Sequence, residues 1–393
     1  MAAILEGIRV LDFGRYIAGP LCGAFLADLG AEVIRVEKPG GADDRYIMPA
    51  TDGDEGALYL HSNRGKKSLT LEIGHPEGRR AMERLIATAD VIIANLSPRA
   101  LKHFGLDYET VRGIREDIIL TTVNAFGSEG PMREAVGFDG VGQAVSGAVY
   151  LTGEPGRPYR SATAYVDFST ALSSAFATLA AIIERMKTGK GAHVETSLVG
   201  TALNVMAPIL MEHASGRNDR VPTGNRAPIA GPSDIFRAKD GWFIMQVQGP
   251  KMFRRWAELV GHPELVDDPR YASDPLRGRN GEALSAIMAQ WAAERTVAEA
   301  IATLEKEGLA ASPVLSPDEV MGGTLDLVGS FTQPVTYPGA DGLRLFRPPF
   351  HISGMGEAEM APPPALGAHS RQVLQEAGFA ADEIDELARL KVI

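Results

Sequence analysis

The N-terminal part of the chain alternates short apolar runs with stretches of helical length. Gly7–Phe13 (GIRVLDF) and Ala31–Glu37 (AEVIRVE) read as buried strands. Between them Pro20–Leu29 reads as a helix, with Pro20 suited to its first turn. Strand, helix and strand within about thirty residues make a βαβ unit, which is almost always right-handed. The alternation continues through Ser68–Leu71 (strand), Pro76–Thr88 (helix), Asp90–Ala94 (strand) and Ile118–Val123 (strand). This is the pattern of an α/β fold with a doubly wound, mostly parallel, Rossmann-like sheet.

A long apolar helix is expected from Asp167 to Lys187, ended by Gly189 and Gly191. A short strand, His193–Thr196, and a helix, Leu198–Ala214, follow. Gly216–Pro232 is rich in Gly and Pro and reads as a linker. Beyond it the texture changes. Ser233–Ala238 and Trp242–Val247 flank a Lys239-Asp240-Gly241 turn, as in a hairpin. Helices are expected at Pro250–Val260, Glu282–Ala293 and Thr296–Glu307, giving a smaller α+β domain. The tail from Phe331 has strand-like pieces, a proline run at Pro362–Pro364 and a last helix, Ala381–Leu390. No internal repeat is visible.

A chain of 393 residues is long for one core, so two domains are natural. A net charge of −11 argues against a nucleic-acid partner, which needs a concentrated basic face. One cysteine, Cys22, excludes a disulfide framework and a cysteine-based zinc site, and fits a reducing cytoplasm. It lies in an apolar run and reads as a buried small hydrophobe rather than a reactive thiol. Met1–Phe13 has Glu6 where a signal peptide carries cations. Ala171–Ile183 is too short to span a bilayer, so no membrane partner is expected. The histidines, His61 and His103 among them, show no metal spacing.

Candidate chemistry gathers at turns that follow strands. The first βα turn, Gly14-Arg15-Tyr16-Ile17-Ala18-Gly19-Pro20, lacks the G-x-G-x-x-G spacing of a dinucleotide site. It instead brings Arg15 and Tyr16 to a strand end, a cation and a ring suited to phosphate and adenine; a solvated surface loop is the plainer reading. Lys38 ends the second strand, where it would tolerate a ribose phosphate. The cationic turn Asn63-Arg64-Gly65-Lys66-Lys67-Ser68 and the turn Asn95-Leu96-Ser97-Pro98-Arg99 flank further strands of the same sheet. In such sheets ligands bind at that edge. Asp167, ahead of an apolar helix, reads first as an N-cap. The functional reading uses the same position, because a helix N-terminus lowers a carboxylate pKa, and an ionised carboxylate in a dry site can attack a thioester.

Taken jointly, several segments resemble the class III coenzyme A transferases, the family that includes formyl-CoA transferase and the CaiB/BaiF proteins. They are Leu5–Phe13 with Ala18-Gly19-Pro20, Leu29–Glu37, and the cationic turn at Asn63. Gly137-Phe138-Asp139 with Gln143, Ser146 and Gly147 is a further match, as is Asp167 with Glu184-Arg185, Thr188–Gly191 and Val194. The resemblance implies that Asp167 attacks an acyl-CoA, forming a mixed anhydride and then an aspartyl-CoA thioester that passes CoA to a carboxylate. A dicarboxylate such as succinate, mesaconate or malate is plausible for the family. Backbone N–H groups near the Asp167 helix would hold the oxyanion. CoA would be a substrate, with no permanently bound cofactor, against Arg15, Tyr16, Ala18, Lys38, the Leu71-Glu72 strand end, Asn95-Leu96 and Phe138-Asp139. Many relatives carry Arg where this chain has His103 and Ser97, and Arg99 stands near enough to substitute for the latter.

The resemblance also implies an interlocked, ring-like homodimer. The large CoA-binding domain would comprise residues 1–215 and a returning segment 326–393, with a linker at 216–232 and a small domain at 233–325. Arg160, Arg226 and Gln248 are polar groups that could meet a substrate carboxylate, and Gly224–Pro232 could close over the site. The nearest rival is an α-methylacyl-CoA racemase, which needs two acid/base groups. Racemases carry His where this chain has Phe138, a ring that moves no proton. A CoA-binding protein without catalysis would use the same sheet and cationic turns, but would have no need of Asp167. A nicotinamide-dependent dehydrogenase would need the glycine fingerprint that the first turn lacks.

Overall fold

The computed structural model describes residues 3–217, 220–353 and 360–393; Asn218 and Asp219 of the expected linker lie outside the described residues, as do 354–359 of the returning segment. From the N-terminus the chain forms β1 (Arg9–Asp12), α1 (Ala18–Asp28), β2 (Glu32–Glu37), α2 (Ala57–Ser62), β3 (Lys67–Thr70), α3 (Pro76–Thr88) and β4 (Val91–Ala94). Two short helices, α4 (Pro98–Phe104) and α5 (Tyr108–Ile114), precede β5 (Ile119–Asn124) and α6 (Asp139–Val145). Then come α7 (Ala148–Thr152), α8 (Tyr165–Thr188), β6 (Ala192–Ser197) and α9 (Leu198–Ala214).

These six strands form one parallel sheet in the order β3-β2-β1-β4-β5-β6. The order reverses between β1 and β4, so the crevice beyond their carboxyl ends is the place where such sheets take ligands. Both faces of the sheet are covered, which is why its strands read as nearly continuous apolar runs. On one face Leu11, Ile34, Leu69, Ile92 and Leu120 pack with Ala81, Met82, Leu85 and Ile86 of α3. On the other, Val10, Val33, Val91, Ile93 and Ile119 pack with Leu21 and Leu26 of α1 and Ala171, Ala175 and Ile182 of α8. Cys22 is fully buried there, and burial pushes its thiol up to about 12.

Helix α8 is 24 residues long and, by length and composition, apolar enough to cross a membrane, although the run Ala171–Ile183 alone is too short. One of its faces lies in the core. Val166, Thr170, Ala171, Ser174, Ala175, Thr178 and Ile182 are buried, and the helix packs on α1, β5 and β6. Polar residues are tolerated on this face because Thr170, Ser174 and Thr178 each donate to the carbonyl four residues back, at 2.7–2.8 Å.

The chain separates into two compact units, one of residues 1–146, 162–207 and 329–393, the other of 147–161 and 208–328. Val373, Leu374, Ile384 and Leu387 of the C-terminal helices complete the α3 side of the first core. The second unit holds β7 (Ser233–Arg237), β8 (Trp242–Gln246), α10 (Gly249–Leu259), α11 (Asp274–Arg279), α12 (Gly281–Ala293), α13 (Val297–Lys306) and β9 (Ala310–Pro313). Its three strands pair antiparallel around Phe236, Phe243, Met245, Trp256, Leu284 and Leu304.

The boundaries differ from the sequence expectation. Residues 147–161 group with the second unit, where the amide of Gly224 donates to Gly153 O at 3.1 Å. From Arg220 onwards the expected linker is packed rather than free. Arg220 pairs with Glu212 at 2.6 Å, the Ala227 amide donates to Ser233 at 2.8 Å, and Ala230 is buried.

Candidate active site

The turn after β1 is fixed at the point where the strand order reverses. The Asn95 side chain, just past β4, accepts from the Arg15 amide at 2.7 Å and donates to the Arg15 carbonyl at 2.6 Å. This two-way clamp joins the ends of β1 and β4. The turn must be small to fit beneath it: a Cβ on Gly19 would lie 3.1 Å from the Gly14 Cα and 3.3 Å from the Asn95 Cγ. Arg15 leans from the end of β1 towards that of β2, donating to Gly14 O at 2.9 Å and to Val36 O at 3.4 Å. Burial, with the Arg35 charge behind it, holds its guanidinium below the ordinary range. Tyr16 takes a left-handed φ of 62°, costly for a residue with a bulky side chain. Its ring meets Phe138 edge-on at 5.7 Å, and both rings are partly exposed.

Phe138 leads to the helix terminus that carries Asp167. Asp139 opens α6, and its Oδ2 accepts from the amides of Val166 at 2.8 Å and Asp167 at 3.1 Å. Gln143, one turn on, donates to the second Asp139 oxygen and to Thr163 O. Asp139 is therefore the capping group of α8, supplied from another helix, and Asp167 is not an N-cap. It occupies the third position of the first turn. Close approach of α6 to α8 needs Gly142, where a Cβ would meet the Val166 Cγ1 at 2.9 Å. Ala18 packs with Val166 in a small cluster with Val123, Leu198 and Ala202, which brings the β1 turn beside the start of α8.

Two expectations change here. The Asp167 carboxyl is not lowered by the helix terminus. Burial, with the Asp139 charge added, raises it to about 7. The Val166 and Asp167 amides are also engaged by Asp139, so they are not open to an oxyanion.

The remaining expected residues fall into three groups. Lys38 is exposed at the end of β2, 3.6 Å from Asp43, and Leu96 is half-buried after β4. Arg99 and His103 are exposed on α4, whose N-cap is Ser97; His103 stands edge-on to Phe104 at 4.9 Å. Leu71 and Glu72 follow β3. The Leu71 side chain is buried in the α3-side core, so only its backbone can face a ligand, and Glu72 folds back to accept from Gly74 at 3.0 Å. The cationic turn is the clearest correction. Arg64 and Lys66 do not face the ligand edge. Arg64 is buried against Asp28, and Lys66 is buried 2.7 Å from Asp12.

His61 lines an apolar cavity of about 490 Å³ with Phe25, Leu60, Phe168, Leu172 and Phe346. Burial and the Arg64 charge lower it to about 4, the behaviour of a core histidine. Among the described residues no group of His, Cys, Asp or Glu is placed to hold a metal ion. Arg160, Arg226 and Gln248 belong to the second unit, where Arg226 donates to Gly278 O at 3.3 Å.

A six-stranded parallel sheet in this order, covered by helices on both faces, defines an α/β fold whose ligand crevice lies at the reversal point. The family model described as CoA-transferase family III matches residues 5–370, and the chain belongs to that family and is a CoA-transferase. Over 374 residues it is 32% identical to succinyl-CoA:glutarate CoA-transferase of Mus musculus, covering 95% of this chain and 86% of the relative. It is 30% identical to succinyl-CoA–D-citramalate CoA-transferase of Chloroflexus aurantiacus, covering 99% and 98%. The solved structure of a CaiB/BaiF family protein from Brucella suis is similar at a TM-score of 0.83 and 31% identity, covering 96% of this chain and 100% of that one.

Proposed function

We propose that this enzyme moves coenzyme A from an acyl-CoA to a dicarboxylic acid, with Asp167 as the nucleophile. The observation that carries the reading is the place of Asp167, half-buried on the first turn of α8 and joined through Asp139 and Phe138 to the Arg15–Tyr16 turn. The dicarboxylate acceptor follows from the relatives, which are named for glutarate and D-citramalate.

The Asp167 carboxylate attacks the thioester carbonyl, the C–S bond breaks, and CoA leaves as the thiolate. The thiolate attacks the aspartyl carbonyl of the mixed anhydride, releasing the donor acid and leaving an aspartyl-CoA thioester. The acceptor carboxylate attacks that thioester, and the thiolate returns to the acceptor's acyl carbon. Asp167 is regenerated and no net proton moves. Each intermediate is hydrolysable, so the site must exclude water while it exists. Arg15, Tyr16, Ala18, Lys38, Asn95, Leu96, Arg99, His103, Phe138 and the backbone of Leu71-Glu72 are the groups proposed to line CoA. Asp139 leaves that set, since its carboxylate is committed to the α8 amides.

Mass spectrometry of the protein after acyl-CoA addition should find a CoA adduct on the peptide holding Asp167. Asp167→Asn should lose transfer and the adduct while still binding CoA. Transfer that survives the substitution would end the nucleophile assignment. A racemase would instead exchange the α-proton of a 2-methylacyl-CoA in deuterated water; Phe138 has no proton to give, and no exchange is expected. The ring-like homodimer is part of the same reading, supported by the exposure of Phe176 (76%) and Met186 (79%) on α8. Light scattering should give twice the chain mass.

A further inference from the structure

Beneath the Arg15–Tyr16 turn lies a network of buried charges joined by one buried amide. Asp12, Arg35, Asn63, Asp44 and Lys66 are all at most 5% exposed. Several of its bonds reach the turn's backbone or the start of α1. Asp12 Oδ1 accepts from the Gly14 amide at 2.7 Å. Lys66 Nζ donates to Asp12 Oδ2 at 2.7 Å, to Pro20 O at 2.6 Å and to Asn63 Oδ1 at 2.9 Å. Arg35 donates from Nη1 to Asn63 at 3.1 Å and from Nη2 to both carboxylate oxygens of Asp44, at 2.8 and 3.0 Å. Asp44 Oδ2 in turn accepts from the Tyr16 amide at 2.9 Å.

The last bond is made by the residue under strain. Tyr16 is at φ 62°, the region that non-glycine residues avoid. A hydrogen bond to a charged acceptor is among the stronger ones, and both oxygens of Asp44 are held by the Nη2 of buried Arg35. Its charge sits among paired buried groups: Arg35 also meets Glu37 at 3.3 Å, and Glu37 pairs with Arg45 at 2.6 Å.

We propose that Asp44, gripped by Arg35, is a positioning residue for acyl-CoA: it holds the Tyr16 backbone in its left-handed form, so that Arg15 and the Tyr16 ring are set before the ligand arrives. This rests on the reading of that turn as part of the CoA site. Asp44 touches neither substrate nor Asp167 in this role. Its removal should therefore raise the cost of binding and leave the chemical step alone.

Asp44→Asn separates the two tasks of the carboxylate. An amide oxygen turned to the Tyr16 N–H leaves the NH2 facing Arg35, and the reverse leaves the Tyr16 amide unpaired. Calorimetry with free CoA, and steady-state kinetics with succinyl-CoA and glutarate, should show the CoA Kd and the acyl-CoA KM raised about tenfold, ~1.4 kcal/mol, with kcat within about twofold. Glycine takes the left-handed form unaided. In a Tyr16→Gly background the same substitution should therefore change the CoA Kd by less than about threefold. Equal effects in both backgrounds, or an unchanged Kd with only a lower melting temperature, would overturn the proposal. Hydrogen exchange on the wild-type protein needs no variant to fold. The Tyr16 amide should be strongly protected without CoA, and rapid exchange would overturn the proposal. If Arg15→Ala and Tyr16→Gly both leave the CoA Kd unchanged, the CoA-site reading itself fails, a result distinct from those above.

Discussion

Asp139 and Asp167 share one helix terminus: the Oδ2 of Asp139 takes the amides of Val166 and Asp167 at 2.8 and 3.1 Å. The group that caps α8 is thus also the group whose charge adds to burial in raising Asp167 to about 7. Asp139→Asn keeps an oxygen for the amides and removes the charge. The acid limb of kcat/KM should move to lower pH by up to about one unit, since burial remains the larger cause. Asp139→Ala removes the cap and should cost about 1 kcal/mol in a urea unfolding series.

A raised carboxyl pKa has consequences for rate and stability that run in opposite directions. Attack on a thioester needs the ionised form, so kcat/KM should rise with pH and level off above about 7. In the unfolded chain Asp167 has an ordinary pKa near 3.8, whereas folded it binds its proton up to about 7. Between these values the folded state holds more protons, and its stability falls as pH rises. Below the lower value both states are protonated and the effect vanishes. Asp167→Asn has no such slope. It should be more stable than wild type at pH 8 by roughly 1–3 kcal/mol, with the gap closing towards pH 4. Melting curves across that range test the sign directly.

The sheet was legible because β1, β2, β4 and β5 are buried on both faces, and that condition writes apolar runs such as VIIA and IIL into the sequence. The short helices α2 and α4–α7 were not, since five to seven residues give too few turns for a period to show. Asp167 was found by resemblance, while its own neighbours pointed only to a cap. The true cap, Asp139, lies 28 residues away in sequence, and no local pattern reports such a bond. The cationic turn misled for a related reason. Exposure is a tertiary property, and nothing in Asn63–Ser68 shows that Asp28 and Asp12 wait inside for Arg64 and Lys66. The one available sign was in the strand EVIRVE, where Arg35 and Glu37 interrupt a buried run and so require partners.

The clamp between Asn95 and Arg15 gives a third expectation. Asn95→Ala removes both the acceptor for the Arg15 amide and the donor to its carbonyl. Two backbone groups at the end of β1 are left to water or unpaired, a loss of roughly 1–3 kcal/mol. Because those groups hold the turn across the reversal point, the acyl-CoA KM should also rise, by more than for a surface change remote from the turn such as Glu258→Ala on α10. Unfolding and kinetics on the two variants, measured side by side, decide whether Asn95 acts on the turn or only on the fold.

The contact between α6 and α8 gives the last. A Cβ at Gly142 would lie 2.9 Å from the Val166 Cγ1, inside van der Waals contact, and 3.6 Å from the Ala202 Cβ. Val166 is fully buried and cannot swing aside, so Gly142→Ala must move α6 as a body. Asp139 is the first residue of α6, and its two bonds to α8 would lengthen with that movement. Overpacking of this kind costs roughly 1–3 kcal/mol. The specific expectation is a coupled one: Gly142→Ala should lower both stability and kcat, and in the Asp139→Ala background its further effect on kcat should be small, because the cap it disturbs is already gone. A full effect in that background would place the importance of Gly142 in core packing alone.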